Sequence, residues 1–166
     1  MRSYVFLFDL DMVLADWSHR RHFIDQEPED RESFYAAMPN DPVIPAGCVL
    51  FNFLVTQAQV IGHAITIGKV DGAEIPFIDC LTCRPERTRE VTMRWFEANG
   101  LLAPRHMHMR EDLDTRPHHI IKLDMYRKHY DGKEEVLVLF EDNVDTIKAF
   151  RDIGITVYQV CESNLN

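Results

Sequence analysis

The sequence predicts an α/β fold of Rossmann-like type: a mostly parallel central sheet, helices on both of its faces, and a small cap insert. Three observations carry this expectation. Strand-like and helix-like patterns alternate along the 166 residues, the order that builds βαβ units. An apolar strand, Tyr4-Val5-Phe6-Leu7-Phe8, ends in Asp9 and Asp11, and a later one, Val136-Leu137-Val138-Leu139-Phe140, ends in Glu141 and Asp142. Ligands of open α/β sheets sit outside the carboxyl ends of the strands, so the acids fall where a site belongs. Finally, a polar and aromatic stretch after the first strand is too long for a simple βα loop.

Taken in order, residues 4–9 form the first strand. The stretch from 17 to 40 contains His19-Arg20-Arg21-His22-Phe23 and then acidic sequence with one helix near 29–38, so 17–45 is expected to be a small cap over the strand ends. Pro42 and Pro45 introduce a helix over 46–59. Residues 60–68 alternate like a strand, Val70-Asp71-Gly72 carries a turn signal, and 75–81 read as a further strand, which together predict a β-hairpin insert over 60–76. An amphipathic helix over 87–99 is stopped by Gly100. A short strand at 106–110, a helix at 117–130, a strand at 136–140, a helix at 144–153 and a strand at 155–160 complete the chain. There is no internal repeat.

The length suits one domain over 1–166, large enough to bury about two thirds of its unfolded surface. With 46% hydrophobic and 27% charged residues, the composition is that of an ordinary globular protein. No apolar run reaches the ~18 residues of a membrane span. Met1-Arg2-Ser3 leads straight into a strand that contains Asp9, unlike a signal peptide. A cytoplasmic protein with no membrane partner is therefore expected. A net charge of −9 argues against extended nucleic-acid binding, which rests on phosphate neutralisation by Lys and Arg. Cys48, Cys80, Cys83 and Cys161 are scattered and read as reduced thiols.

The candidate chemistry is phosphoryl transfer. That reaction needs a nucleophile, a general acid, a divalent ion to offset charge and donors for the equatorial oxygens. Asp9 and Asp11 supply carboxylates suited to hold Mg²⁺ and attack phosphorus. Leu81-Thr82-Cys83-Arg84 closes an apolar strand with a hydroxyl and a guanidinium, and Lys122 lies in the first turns of the helix near Pro117. Each piece alone reads as ordinary structure. Their order makes the combination specific.

At these residues the sequence resembles the haloacid dehalogenase (HAD) superfamily of phosphohydrolases. Within it, the sequence is most similar to the 3′-phosphatase domain of phage polynucleotide kinase and related stand-alone phage and bacterial phosphatases. The likeness extends to Arg20, the Thr82-x-Arg84 turn, Asp114-Thr115-Arg116 ahead of Lys122, and Phe150-Arg151-Asp152-Ile153-Gly154-Ile155 with Tyr158-Gln159-Val160. It implies a Mg²⁺-dependent phosphomonoester hydrolase. Asp9 would be the nucleophile that becomes an aspartyl-phosphate, and Asp11 the general acid and then base. Mg²⁺ would be held by the Asp9 carboxylate, the Asp11 backbone carbonyl and the Asp142 carboxylate. Thr82 and Lys122 would bind the transferring phosphoryl oxygens, Arg20 and Arg84 would reach the substrate, and Glu141 and Asn143 would support the metal shell. The implied substrates are small and nucleotide-like: nucleoside 5′-monophosphates or 3′-phosphate ends of nucleic acid.

Two departures stand out. The family usually continues its first acidic motif with Gly-Thr, where this chain has Met12-Val13, so the tight turn loses its permissive residue. Acids precede the Lys in the polynucleotide kinase phosphatases, whereas His118-His119 stand here. Thr66 is a second place for the Ser/Thr motif, but no Arg follows it two residues on.

Other patterns carry less. Cys80-x-x-Cys83 lacks a second pair for a metal site and sits on a strand rather than at a redox helix start. His106-x-His108 lacks a third ligand and reads as surface or packing histidine. Residues 62–69 miss the spacing of a phosphate loop and its closing hydroxyl. The rival functions are a phosphoacceptor receiver module and a catalytically weak binding protein on the HAD fold.

Overall fold

In the computed structural model, which describes residues 3–68 and 74–161, five parallel strands form one sheet. The strands are β1 (Ser3–Phe8), β2 (Ile75–Pro85), β3 (Met107–Arg110), β4 (Glu135–Glu141) and β5 (Val157–Gln159), in the spatial order β3-β2-β1-β4-β5. β1 is central, pairing Phe8 with Cys80 of β2 on one side and with Phe140 of β4 on the other. The expected α/β class is what the chain adopts. The order also differs from the 2-1-3-4-5 order of flavodoxin-like receiver folds, which removes the receiver alternative.

The helices are α1 (His22–Asp25), α2 (Arg31–Ala36), α3 (Pro45–Thr66), α4 (Arg89–Ala98), α5 (His118–His129) and α6 (Val144–Asp152), with short 3₁₀ turns at Ser18–Arg20, Met38–Asn40 and Glu86–Thr88. The strand alternation of β1 sorts the two cores. Phe8 packs with Phe51, Val55, Trp95 and Phe96 beneath α3 and α4. Val5 and Leu7 pack with Leu81, Tyr130, Leu139, Ile147 and Phe150 beneath α5 and α6. Each such side chain contributes about 1.5–3 kcal/mol by leaving water.

Short polar side chains close several helix ends. Asp30 caps α2 by accepting from the Ser33 N–H at 2.9 Å, and Asn143 caps α6 by accepting from the Thr146 N–H at 3.0 Å. At Gly47 a side chain is excluded: a Cβ there would lie 1.9 Å from the Val13 carbonyl oxygen. α3 is thereby drawn against the loop that follows β1.

The expected strand over 60–68 is not formed. Those residues continue α3 for two more turns to Thr66, and Gly68, at φ +68°, ends it with its N–H on the Ile65 carbonyl. The first arm of the expected 60–76 hairpin is therefore helical, while the turn at Val70-Asp71-Gly72 lies outside the described residues. Alternation over so short a stretch is outweighed by a helix already anchored through Phe51 and Val55, because extending it adds one hydrogen bond per residue ordered. α3 also bears on the membrane expectation. Its 22 residues carry no Asp, Glu, Lys or Arg, and by length and composition the helix could cross a membrane. Interspersed Asn52, Thr56, Gln57, Gln59 and His63 hid that in a search for unbroken apolar runs. In the structure its Gly47, Phe51 and Val55 are buried on the β1–β2 side.

Candidate active site

β1 delivers Asp9 to the carboxyl edge of the sheet, where its N–H donates to the Phe140 carbonyl of β4 at 3.0 Å. β4 then ends in Glu141, followed by Asp142. From the opposite side α5 presents Lys122, buried, with Nζ 2.9 Å from Asp9 Oδ1 and 2.7 Å from Glu141 Oε2. Oxygens of Asp9, Glu141 and Asp142 lie within 4.8 Å of one another.

Three buried acids thus share one ammonium. Burial pushes the Asp9 carboxyl well up against the pull of Lys122, and Glu141 and Asp11 push it further. Burial likewise raises Glu141 and, with help from Asp9, raises Asp142 to about 6. Burial alone would lower Lys122, but Asp9 and Glu141 outweigh it and hold the ammonium charged. The surplus of negative charge in a water-poor pocket suits a hard divalent cation with oxygen ligands.

Asp11 points away from this cluster. Its carboxylate accepts from Arg84 Nε at 3.2 Å to each oxygen, from Arg84 Nη2 at 2.7 Å and from Arg20 Nη2 at 3.1 Å. Behind the two guanidiniums lies Asp41, buried, accepting from Arg20 Nε at 2.7 Å, Arg20 Nη2 at 2.9 Å and Arg84 Nη2 at 2.8 Å. His19 Nε2 is 2.9 Å from the same carboxylate, and the Asp41 carbonyl accepts from Trp95 Nε1 at 2.7 Å. Two acids and two arginines form a closed ring. Burial would raise the Asp11 carboxyl, but Arg84 and Arg20 hold it below the ordinary carboxylate range. Arg84 Nη1 is buried with no hydrogen-bond partner among the described residues.

Thr82 lies on β2 two residues beyond the partner of Phe8, fully buried, its Oγ1 accepting from the Arg84 N–H at 3.2 Å. The turn after Asp11 uses the left-handed region: Met12 has φ +62°, a conformation that glycine adopts at less cost. A cleft of about 440 Å³ opens beside Asp11, lined among others by Asp11, Arg84 and His118 and by Trp17, Phe34 and Tyr35 of the segment after β1.

The structure therefore brings Asp9, Asp11, Arg20, Thr82, Arg84, Lys122, Glu141 and Asp142 to one place. Glu141 lies nearer the centre than its expected supporting position, as one of the three clustered acids. Asn143 stands apart: its Oδ1 caps α6, and it touches the cluster only through its N–H to Glu141. Arg20, expected to reach substrate, is buried and spends its donors on Asp41, Asp11 and the Phe34 carbonyl. Asp41 was not legible in the sequence. An acid before Pro42 at the entry to a helix reads as a loop residue, and its partners lie 21 and 43 residues away.

The family model of the polynucleotide kinase PNKP phosphatase domain matches residues 58–165, which include Thr82, Arg84, Lys122, Glu141 and Asp142. The chain belongs to this family. It is a HAD-type phosphatase domain, and Asp9, Asp11, Arg20 and Asp41, which precede the matched span, reach it through the contacts above. Among solved structures, the chain is similar to one in the Pnkp1/Rnl/Hen1 RNA repair complex, at 18% identity and TM-score 0.68, covering 99% of this chain and 44% of that one. A second structure of the Pnkp1/Rnl/Hen1 complex gives 20% identity and TM-score 0.64, covering 99% of this chain and 47% of that one. These likenesses establish the fold, and the chain spans less than half the length of either neighbour. No curated protein matches the sequence significantly.

Proposed function

We propose that the protein is a Mg²⁺-dependent phosphomonoesterase that works through an aspartyl-phosphate on Asp9 and acts on nucleotide-type substrates. The observation that carries the reading is the Asp9 carboxylate itself. It is fixed by Lys122 within an acid cluster, and Asp11 stands two residues on in a separate ring of charge.

In this reading Asp9, Glu141 and Asp142 would hold the cation, together with the Asp11 backbone carbonyl. The ion would supply charge neutralisation for the attacking carboxylate and the phosphoryl oxygens. Lys122, Thr82 and Arg84 Nη1 hold those oxygens by donating to them. The Asp9 oxygen attacks phosphorus, the bond to the leaving oxygen breaks, and Asp11 gives that oxygen its proton. Asp11 then takes a proton from the water that cleaves the aspartyl-phosphate, releasing inorganic phosphate and restoring Asp9. A phosphoryl dianion beside Arg84 competes with Asp11 for the guanidinium, which raises Asp11 toward the value a proton donor needs. Arg20 and Asp41 serve Asp11 rather than the substrate directly.

The segment 17–45 acts as a cap, with Trp17, Phe34 and Tyr35 offering aromatic surface to a base. That favours nucleoside monophosphates or 3′-phosphate ends over sugar phosphates, and the charge of −9 disfavours long polynucleotides. Inorganic phosphate release should be measured over nucleoside monophosphates, 3′- and 5′-phosphorylated oligonucleotides and hexose phosphates, with and without Mg²⁺. Turnover of the nucleotide group is expected to lead. A preference for hexose phosphates would remove the nucleotide reading.

A further inference from the structure

The cleft beside Asp11 and Arg84 is lined by many titratable side chains, and nearly all are engaged with one another. Arg31 pairs with Glu29 at 2.6 Å, Arg110 donates to the Tyr35 hydroxyl at 2.9 Å, and Arg116 pairs with Asp114 at 2.7 Å. Arg20, Arg84 and Asp11 belong to the ring anchored by Asp41. His118 differs. Its backbone carbonyl faces the Cys83 thiol at 3.9 Å, but its imidazole has no hydrogen-bond, ion-pair or ring partner among the described residues, although it lines the cleft with Asp11 and Arg84.

Helix geometry places this imidazole. His118 is the first residue of α5 and Lys122 lies four residues on, so both face the site, the lysine at Asp9 and the histidine one turn nearer the mouth. His118 is solvent-exposed, and the surrounding protein together with the nearby Lys122 and Arg110 lowers its pKa against the opposing pull of Asp11, which favours the neutral ring with its one donor and one acceptor. The second unengaged group is Arg84 Nη1, a buried donor deeper in the site. A phosphomonoester has two parts to recognise, and the cleft offers an unused group at each depth.

We propose that His118 is a specificity residue that hydrogen-bonds the polar alcohol portion of the substrate, the part that departs as a nucleoside, while Arg84 Nη1 takes a phosphoryl oxygen. The inference rests on the phosphatase reading of Asp9. A neutral ring approaches a leaving group without adding negative charge beside Asp11.

The test compares kcat/KM for a nucleoside 3′-monophosphate with that for 4-nitrophenyl phosphate, in the parent, His118→Ala, His118→Gln and Asp9→Asn. One neutral hydrogen bond corresponds to a fall of about 3- to 10-fold in the nucleotide-to-aryl ratio for His118→Ala, carried by KM. His118→Gln, which keeps a donor and an acceptor, should recover most of it. Calorimetry in the Asp9→Asn background gives an activity-free reading, in which adding His118→Ala should weaken nucleoside monophosphate by a similar factor and leave inorganic phosphate unchanged. If Asp9→Asn is inactive while His118→Ala leaves the ratio unmoved, or lowers both substrates equally, the assignment of His118 is overturned. If Asp9→Asn keeps its turnover, the assignment of Asp9 as the nucleophile fails instead.

Discussion

Arg20 donates its Nε–H to Oδ1 of Asp41 at 2.7 Å, and neither side chain reaches solvent. The same carboxylate holds Arg84, so the two guanidiniums that approach Asp11 are fixed from behind. Removing Asp41 leaves two buried cations with one partner. Asp41→Ala should therefore cost about 3–5 kcal/mol, the usual penalty for breaking a buried pair, and lower the melting temperature by roughly 10 °C. Calorimetric melting checks this. A shift below about 2 °C would show that the ring contributes little to the fold.

Asp9→Asn should abolish phosphate release while leaving the melting temperature close to that of the parent, because the amide keeps the shape but cannot attack phosphorus. Asp11→Asn should lose about 10² to 10⁴ in rate through the missing proton transfer. Steady-state assays decide. Residual turnover within tenfold of the parent for Asp9→Asn would reject it as the nucleophile.

The acid cluster sets the expected response to metal. Chelation should silence turnover, added Mg²⁺ should restore it, and Asp142→Ala should raise the Mg²⁺ concentration needed for half-maximal rate, since one of three clustered oxygen ligands is lost. Full rate in excess chelator would contradict the reading.

His108 stacks on His129 with ring centroids 3.9 Å apart. Burial and the neighbouring His129 depress its pKa from 6.5 to about 4, although Asp79 opposes them. A depressed base is protonated in the unfolded chain before it is protonated in the fold. The unfolded state thus binds more protons between pH 6.5 and 4, and stability falls as pH drops through that window before levelling below it. His108→Gln should flatten part of this slope in urea unfolding measured at pH 7, 5.5 and 4.5. An unchanged slope would place the titration elsewhere.

Gly47→Ala should destabilise the protein by about 1–3 kcal/mol, because its methyl would meet the Val13 carbonyl and push α3 off the loop after β1. That loop follows Asp9 and Asp11 directly, so the rate should fall as well. Thermal melting together with phosphate release measures both. Parent-like values in each would mean that the loop yields without cost.

Much of the fold and the site can be read along the chain because the signals are local. β1 and β4 are apolar runs that end in acids, so Asp9, Asp11, Glu141 and Asp142 could be located from adjacent residues alone. Thr82 and Lys122 follow from similarly short patterns. The 60–68 stretch misled for the same reason in reverse: its alternation is local, whereas the helix it joins is held by Phe51 and Val55, outside it in sequence.

The sequence by itself determined the α/β class, the chain positions of the acids, the hydroxyl and the lysine, and the family resemblance they carry. Only the tertiary structure decided what each charge faces. Asp41 meets Arg20 and Arg84 across 21 and 43 residues, which spends the Arg20 donors inside the protein, ties one edge of Arg84 to Asp11 and Asp41, and leaves Arg84 Nη1 and the His118 ring without a partner among the described residues. The physical reason is that a buried charge must be compensated by whichever opposite charge the fold brings within hydrogen-bond distance, and that choice is made by packing rather than by neighbours along the chain.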